Sequence, residues 1–334
     1  MQAAELIALK EAYEPNNYIP PQDPVPPRTP REKFAANITA IRTLKSIEKR
    51  MADGGPHANG EEQEILAQYS GWGGLSDAFE PNKDSWHSEY TELKSLLTEE
   101  EYAAARSSTL TAFYTPPEVI DAMYTTLRKM GVGAGTILEP SMGAGAFFGQ
   151  SHSYLYEPTT RLFGVELDSL TGRIARQLYQ KANIQITGFE KADLPDSFFD
   201  VVIGNVPFGD YSVVDPQYNR LHFKIHDYFF AKSIDKLRTG GIIAFITTSG
   251  TLDKKSEEVR RYINARCDFI GAVRLPDSTF KSAGTKAMAD IIFLQKRDRI
   301  LEQDASWLHT TQTEDGLCPQ QLFCRTPRKW SAAH

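Results

Sequence analysis

Between residues 34 and 47 the large apolar side chains Phe34, Ile38, Ile41, Leu44 and Ile47 recur at three- and four-residue intervals. That spacing lines one face of a helix. The glycine-rich stretch "MADGGPHANG" then breaks the pattern. Beyond it, "EEQEILAQYSGWGGLSDAF" predicts a short helix closed by a Gly-Trp-Gly-Gly turn, with Trp72 as a core anchor at the helix end. "TEEEYAAARSS" predicts a further helix capped by Thr98.

From residue 111 the rhythm changes. A helix over 117–130 leads into the short apolar run "AGTILEP". Further strand-like runs follow: "LFGVELD", "NIQITGF", "FDVVIGN", "GIIAFITTS", "FIGAVRLP" and "DIIFLQKR". Helical stretches such as "SLTGRIARQLYQKA" and "HDYFFAKSIDKLR" lie between most of them. Strands that are apolar on both faces, alternating with helices, predict an α/β fold: a mostly parallel, seven-stranded sheet covered by helices on both faces. The chain therefore divides into a proline-rich extended tail (1–30), a small helical region (31–110), the α/β domain (111–300) and an irregular tail (301–334). The segment "PNNYIPPQDPVPPRTP" is expected to be an extended tether rather than a packed element.

Composition narrows the function. The 334 residues, 41% hydrophobic, suffice for one full domain with appendages. The formal charge of −6 argues against a generally basic coat, so nucleic acid would be met by a local patch or a partner chain. Three widely spaced cysteines (Cys267, Cys318 and Cys324) suit a reducing compartment and predict no metal site. With no membrane-length apolar run and no signal pattern, the chain reads as soluble and cytoplasmic, with no membrane partner.

Open α/β sheets bind ligands beyond the carboxyl ends of their strands, so the strand-to-helix turns carry the candidate chemistry. In "ILEPSMGAGAFFG" the glycines Gly143 and Gly145 let the backbone bend and approach a ligand. Glu139 and Pro140 at the strand end differ from the dinucleotide fingerprint. In "FGVELD", Glu166 ends the next strand, where an acid can accept from both hydroxyls of a ribose; Asp168 reads as a helix cap. Together these turns point to an adenosine-containing cofactor without a pyrophosphate. In "FFDVVIGNVPFGDY", Asn205 offers an amide oxygen and Pro207 fixes the turn. The carbonyl of Val206 is a second acceptor, and Phe208 offers a flat face for a base. Two acceptors so spaced suit an exocyclic amino group. The plain structural alternative is an Asn-capped turn with a core Phe.

The ordered series "FYTPP", "EPSMGAGAF", "GVELD", "GNVPFG" and "GGIIAFITTSG" resembles the successive motifs of the methyltransferases that modify N6 of adenine in DNA. The resemblance covers about residues 110 to 297, and "GWGGL" ahead of it is similar to an element of methylase modules in phage, plasmid and conjugative-element proteins, often fused to a helicase. The stretch beginning "AVRLPDSTF" is similar to the late motifs of type I modification subunits. The resemblance implies a Rossmann-like fold dependent on S-adenosylmethionine. By matching position, Tyr114, Thr115 and Pro116 would border the methionine end. Glu139, Gly143 and Gly145 would line its backbone side, and Glu166 would hold the ribose. Asn205 and the Val206 carbonyl would bind the target amine, with Pro207 shaping the turn and Phe208 stacked on a flipped-out base.

Two departures stand out. Val206 replaces the first proline of the usual Asn/Asp-Pro-Pro-Tyr/Phe turn, which keeps the carbonyl. Gly188 stands where the strand before usually ends in an acid; Glu190 is expected to take over the contact to the cofactor adenine, with Phe189 stacked on that ring. Some 37 residues follow position 297, too few for a target-recognition domain. Weak sequence preference, or a separate recognition or helicase subunit, is therefore expected. The loop "GDYSVVDPQYNRLHFKIHDYFF" could close over DNA or be simply solvated, and "DKKSEEVRRYINAR" reads as an exposed helix face. The leading expectation is a DNA adenine-N6 methyltransferase. Methylation of RNA or of a protein glutamine, and a non-catalytic anti-restriction factor that binds cofactor or DNA, remain the alternatives.

Overall fold

A computed structural model describes residues 14–21, 29–109, 115–276, 279–280 and 288–310. Ten helices are described here, in chain order: α1 (Pro30–Ala52), α2 (Gly60–Leu66), α3 (His87–Leu96), α4 (Glu99–Ser108), α5 (Pro117–Lys129), α6 (Ala146–Ser151), α7 (Ser169–Leu178), α8 (Ile225–Lys236), α9 (Gly250–Asp253) and α10 (Glu258–Arg266). The strands are β1 (Thr136–Glu139), β2 (Arg161–Glu166), β3 (Asn183–Ile186), β4 (Phe199–Asn205), β5 (Leu237–Thr248), β6 (Cys267–Leu275) and β7 (Ala289–Lys296). They form one seven-stranded sheet in the order β3-β2-β1-β4-β5-β7-β6. The expected α/β, Rossmann-like class is what the chain adopts. β1, β2 and β3 pair in parallel, and β7 runs antiparallel to both β5 and β6.

The chain divides into two compact units. The first comprises residues 1–193, 203–205 and 277–286, so the N-terminal helices group with β1–β3 and with the tip of β4. Its helices start where local chemistry satisfies their first N–H groups. Thr29, Asn59 and Thr98 each form a capping box with the glutamate three residues on. Asp168 caps α7 by accepting the N–H of Thr171 at 2.8 Å. Trp72, in the Gly-Trp-Gly-Gly turn, is 1% exposed and packs against Phe34, Tyr69 and Phe79 at ring separations of 6.3, 6.3 and 5.4 Å. Arg173 of α7 reaches Glu48 of α1 at 2.9 Å and also pairs with Glu101 of α4.

The proline-rich stretch behaves differently from a tether where it is described. Tyr18 N–H donates to the Leu178 carbonyl at 2.7 Å, Gln180 N–H donates to Asn16 O at 3.0 Å, and Asn17 bridges Tyr179. The backbone is extended, as proline favours, but its polar groups are satisfied by the end of α7 rather than by water.

The second unit comprises 194–202, 206–276 and 287–334. Here β7 pairs antiparallel with β5 and with β6, the latter through a register shift between Phe269 and Gly271, and Arg274 faces Asp290 across β6 and β7. Their guanidinium and carboxylate meet in two parallel bonds of 2.8 and 2.9 Å. The arginine and aspartate of the late sequence pattern therefore serve sheet pairing.

The charged helix α10 departs from the exposed face expected for it. Arg260 is fully buried; its Nε donates to the Leu308 carbonyl, and its Nη1 to the carbonyls of Leu252 and Lys254. Leu308 and Trp307 are buried too, so the C-terminal segment is packed through residue 308. Among the described residues no helix is long and apolar enough to cross a membrane.

Candidate active site

The site is built in the first unit, at the carboxyl ends of β1, β2 and β4. β1 places Glu139 opposite Gly164 of β2, and Glu166 lies two residues further along β2. Side chains two residues apart on a strand share a face, so Glu139 and Glu166 project to the same side of the sheet. Gly164 contributes no side chain between them. The space is taken by Met142, whose Sδ would lie 2.2 Å from any Cβ at position 164.

The turn after β1 shows why its glycines are there. Gly143 has φ +55° and Gly145 φ +87°, both in the left-handed region. A Cβ on Gly145 would come within 2.3 Å of the Tyr179 ring, whereas one on Gly143 would meet nothing within 4 Å. Gly145→Ala is therefore expected to destabilise the protein by about 1–3 kcal/mol, from strain and overpacking together. Thermal unfolding checks this, with Gly143→Ala as the milder comparison because only its backbone is strained.

The open side of Gly143 faces a worked-out hydrogen-bond pattern. Its N–H donates to Glu166 Oε2 at 2.8 Å, and the N–H of Asp168 donates to Oε1 at 2.8 Å. Both carboxylate oxygens retain lone pairs for further donors. Burial pushes the Glu166 carboxyl up to about 7; the Asp168 charge adds to this, while the backbone N–H groups work against it. Glu139 is only 2% exposed, and its Oε2 has no hydrogen-bond partner. Burial pushes its carboxyl well above the usual carboxylate range, and the nearby Glu166 adds to the effect. Neither carboxyl has an ion-pair partner among the described residues.

Asn205 ends β4 and is half-buried. Its Nδ2 donates to Thr115 Oγ1 at 3.3 Å, and its backbone carbonyl accepts from Ser141 Oγ at 2.9 Å. Ser141 is a site residue that sequence reasoning missed; only its position inside "EPSMGAG" hinted at it. Pro116 stands at the N-cap position of α5, and its carbonyl accepts the N–H of Val119 at 3.0 Å. Tyr114 lies outside the described residues.

The structure thus joins Thr115, Ser141 and Asn205 on one side, and Gly143 and Glu166 on the other, by direct hydrogen bonds. Val206, next along the chain, is buried and donates its N–H to the Ile246 carbonyl at 3.0 Å; Pro207 and Phe208 are half-buried. At the end of β3 the glycine departure has a physical reason. A Cβ on Gly188 would lie 2.2 Å from the Glu190 carboxylate, so Glu190 folds back over the volume an acid at 188 would need. Phe189 is 3% exposed, which leaves little ring face for a ligand; Glu190 is half-buried.

A family model described as N-6 DNA Methylase matches residues 96–320. The chain belongs to the N-6 DNA methylase family. It is 26% identical over 290 residues to Defense against restriction protein B of Escherichia phage P1; the match takes in 85% of this chain but only 11% of that protein's length. Among solved structures, a modification subunit of a putative type I restriction enzyme from Vibrio vulnificus YJ016 superposes with a TM-score of 0.50 at 18% identity, covering 72% of this chain and 64% of that one. A putative class I S-adenosylmethionine-dependent methyltransferase from Listeria monocytogenes gives 0.48 at 17% identity, covering 80% and 88%. These likenesses concern the fold.

Proposed function

We propose that the chain is an S-adenosylmethionine-dependent methyltransferase module acting on N6 of adenine in DNA. The observation that carries this reading is Asn205, held by Thr115 and Ser141 at the tip of β4, in the same compact unit as the buried Glu139 and the Glu166–Gly143 cradle. The residues fit the cofactor. Glu139 has an orphaned buried oxygen, Gly143 borders open space, and the two carboxyls lack any cation among the described residues. Glu139 and the glycine turn would hold the amino-acid end, and Glu166 the ribose; when bound, the cofactor supplies an electrophilic sulfonium methyl.

The chain's own work is positioning and polarisation. An adenine amine is a weak nucleophile because its lone pair conjugates with the ring. The Asn205 amide oxygen and the Val206 carbonyl would accept its two hydrogens, drawing the nitrogen toward a tetrahedral arrangement that frees the lone pair. Phe208 would stack on the base once it leaves the duplex, with aromatic stacking contributing about 1–3 kcal/mol. Glu190 would meet the cofactor adenine, with Phe189 beneath it in the core.

The similarity to a phage protein named for defense against restriction favours a second reading, a non-catalytic factor. An assay with tritiated S-adenosylmethionine and DNA, RNA and protein acceptors separates the readings. Label in N6-methyladenine of DNA is the expected result. Label only in RNA or glutamine overturns the DNA assignment, and cofactor binding without transfer to any acceptor supports the second reading. A DNA-recognition or helicase partner remains part of the proposal, since the chain matches so small a share of its phage relative.

A further inference from the structure

The two carboxyls at the ends of β1 and β2 present an imbalance that the hydrogen bonds do not relieve. They share one face of the sheet: Gly164 stands opposite Glu139, and Glu166 lies two residues further along β2 on that same face. Glu166 is served by two backbone N–H groups. Glu139 lies deeper, with an oxygen that meets no donor. Among the described residues, the other titratable groups facing Glu139 offer no positive charge. They are Tyr124 of α5 and Tyr179 after α7, both held neutral by burial, and Glu166 itself. Behind Glu166 stand Asp168 and Tyr69. Among the described residues, the groups that act on Glu139 and Glu166 are negative or neutral.

Building on the proposed cofactor reading, we propose that Glu139 is protonated in the free protein and gives up its proton when the cationic cofactor binds, so that cofactor binding is coupled to proton release. The balance is simple. The Glu139 O–H bond breaks, its proton passes to the solvent, and the carboxylate left behind faces a ligand whose sulfonium and ammonium outweigh its single carboxylate. Burial strips Glu139 of hydration and the neighbouring Glu166 charge repels a second negative charge, so the unliganded protein holds a proton there. A bound cation reverses both terms. The raised pKa of Glu139, set by burial and by Glu166, has the sign this requires. Affinity for the cofactor then rises with pH while Glu139 still carries its proton in the free protein, and flattens once it is lost. By proton linkage the Kd falls up to about tenfold per pH unit in that window.

Titration calorimetry of S-adenosylmethionine into the whole chain tests this without any turnover. Run near pH 7 in phosphate and in Tris, buffers of low and high ionisation enthalpy, the wild type should release a measurable fraction of a proton, up to about one. Glu139→Gln should bind with that release lost or sharply reduced. A wild type that binds with no buffer dependence overturns the proposal while leaving the cofactor reading standing. So does a variant that releases as many protons as the wild type. Absence of any binding would defeat the cofactor reading, and this inference with it. The variant's fold is checked by a second measurement with its own sign. A folded-state carboxyl pKa raised above its unfolded value withdraws stability as pH climbs from the unfolded toward the folded pKa. The melting temperature of the unliganded wild type should therefore drop relative to Glu139→Gln as the pH climbs above the ordinary carboxylate range. Parallel melting curves over that climb would overturn the proposal.

Discussion

Asn205→Ala is expected to cost at least about 100-fold in the rate of methyl transfer while leaving the cofactor Kd nearly unchanged. The amide's Nδ2 is committed to Thr115 Oγ1, so Oδ1 is the atom that would receive one hydrogen of the target amine. Alanine deletes that acceptor at the point where positive charge develops on nitrogen. The Glu139, Gly143 and Glu166 contacts that would hold the cofactor are untouched. Single-turnover label transfer measures the loss, and calorimetry measures the retained binding. Asn205→Asp keeps an oxygen acceptor and should retain a larger share of the rate. An alanine variant that transfers methyl as fast as the wild type would remove Asn205 from its assigned role.

Trp72→Ala should have the largest effect on stability. The indole is 1% exposed and is ringed by Phe34, Tyr69 and Phe79. Deleting a side chain this large leaves a cavity that its neighbours cannot fill, at about 3–5 kcal/mol. For a protein of this size the melting temperature should fall on the order of 10 °C. Trp72→Phe should lose a smaller part of this, because a ring remains to meet Phe79. Thermal unfolding followed by circular dichroism gives both values. A shift of only a degree or two for alanine would mean that the Gly-Trp-Gly-Gly turn owes its form to something other than the indole.

How much of this was legible in the sequence follows from which signals are local. Most β-strands announced themselves as apolar runs because both of their faces are covered, and the caps at Thr98 and Asp168 are chemistry of three or four residues. The turn at Gly143 was readable because its left-handed backbone favours glycine. What was hidden depends on residues far apart in the chain. Arg260 looks like any surface charge until the carbonyls of Leu252, Lys254 and Leu308 surround it. Asn16 and Asn17 look like linker residues until the end of α7 supplies their partners. Ser141 is ordinary until the Asn205 carbonyl lies 2.9 Å from its hydroxyl, a contact that spans 64 positions. The glycine at 188 looked like a defect because the pattern gives no sign that Glu190 fills the same volume.

The chain between β4 and α8 is pinned near its middle. Asp215, buried, accepts from Tyr228 Oη at 2.8 Å and Lys232 Nζ at 3.0 Å; burial opposes its charge, but these donors hold its carboxyl below the usual range. Tyr218 adds a second peg, donating to Asp235 at 2.6 Å. Ahead of the pins, Tyr211 and Val214 are exposed. Extra length there lengthens a surface loop, and the entropy of closing a loop grows only logarithmically. Beyond Asp215 an insertion would pull the two pegs apart. The junction between Ser212 and Val213 is therefore the place to splice in a foreign module, should one wish to give this scaffold a further binding function.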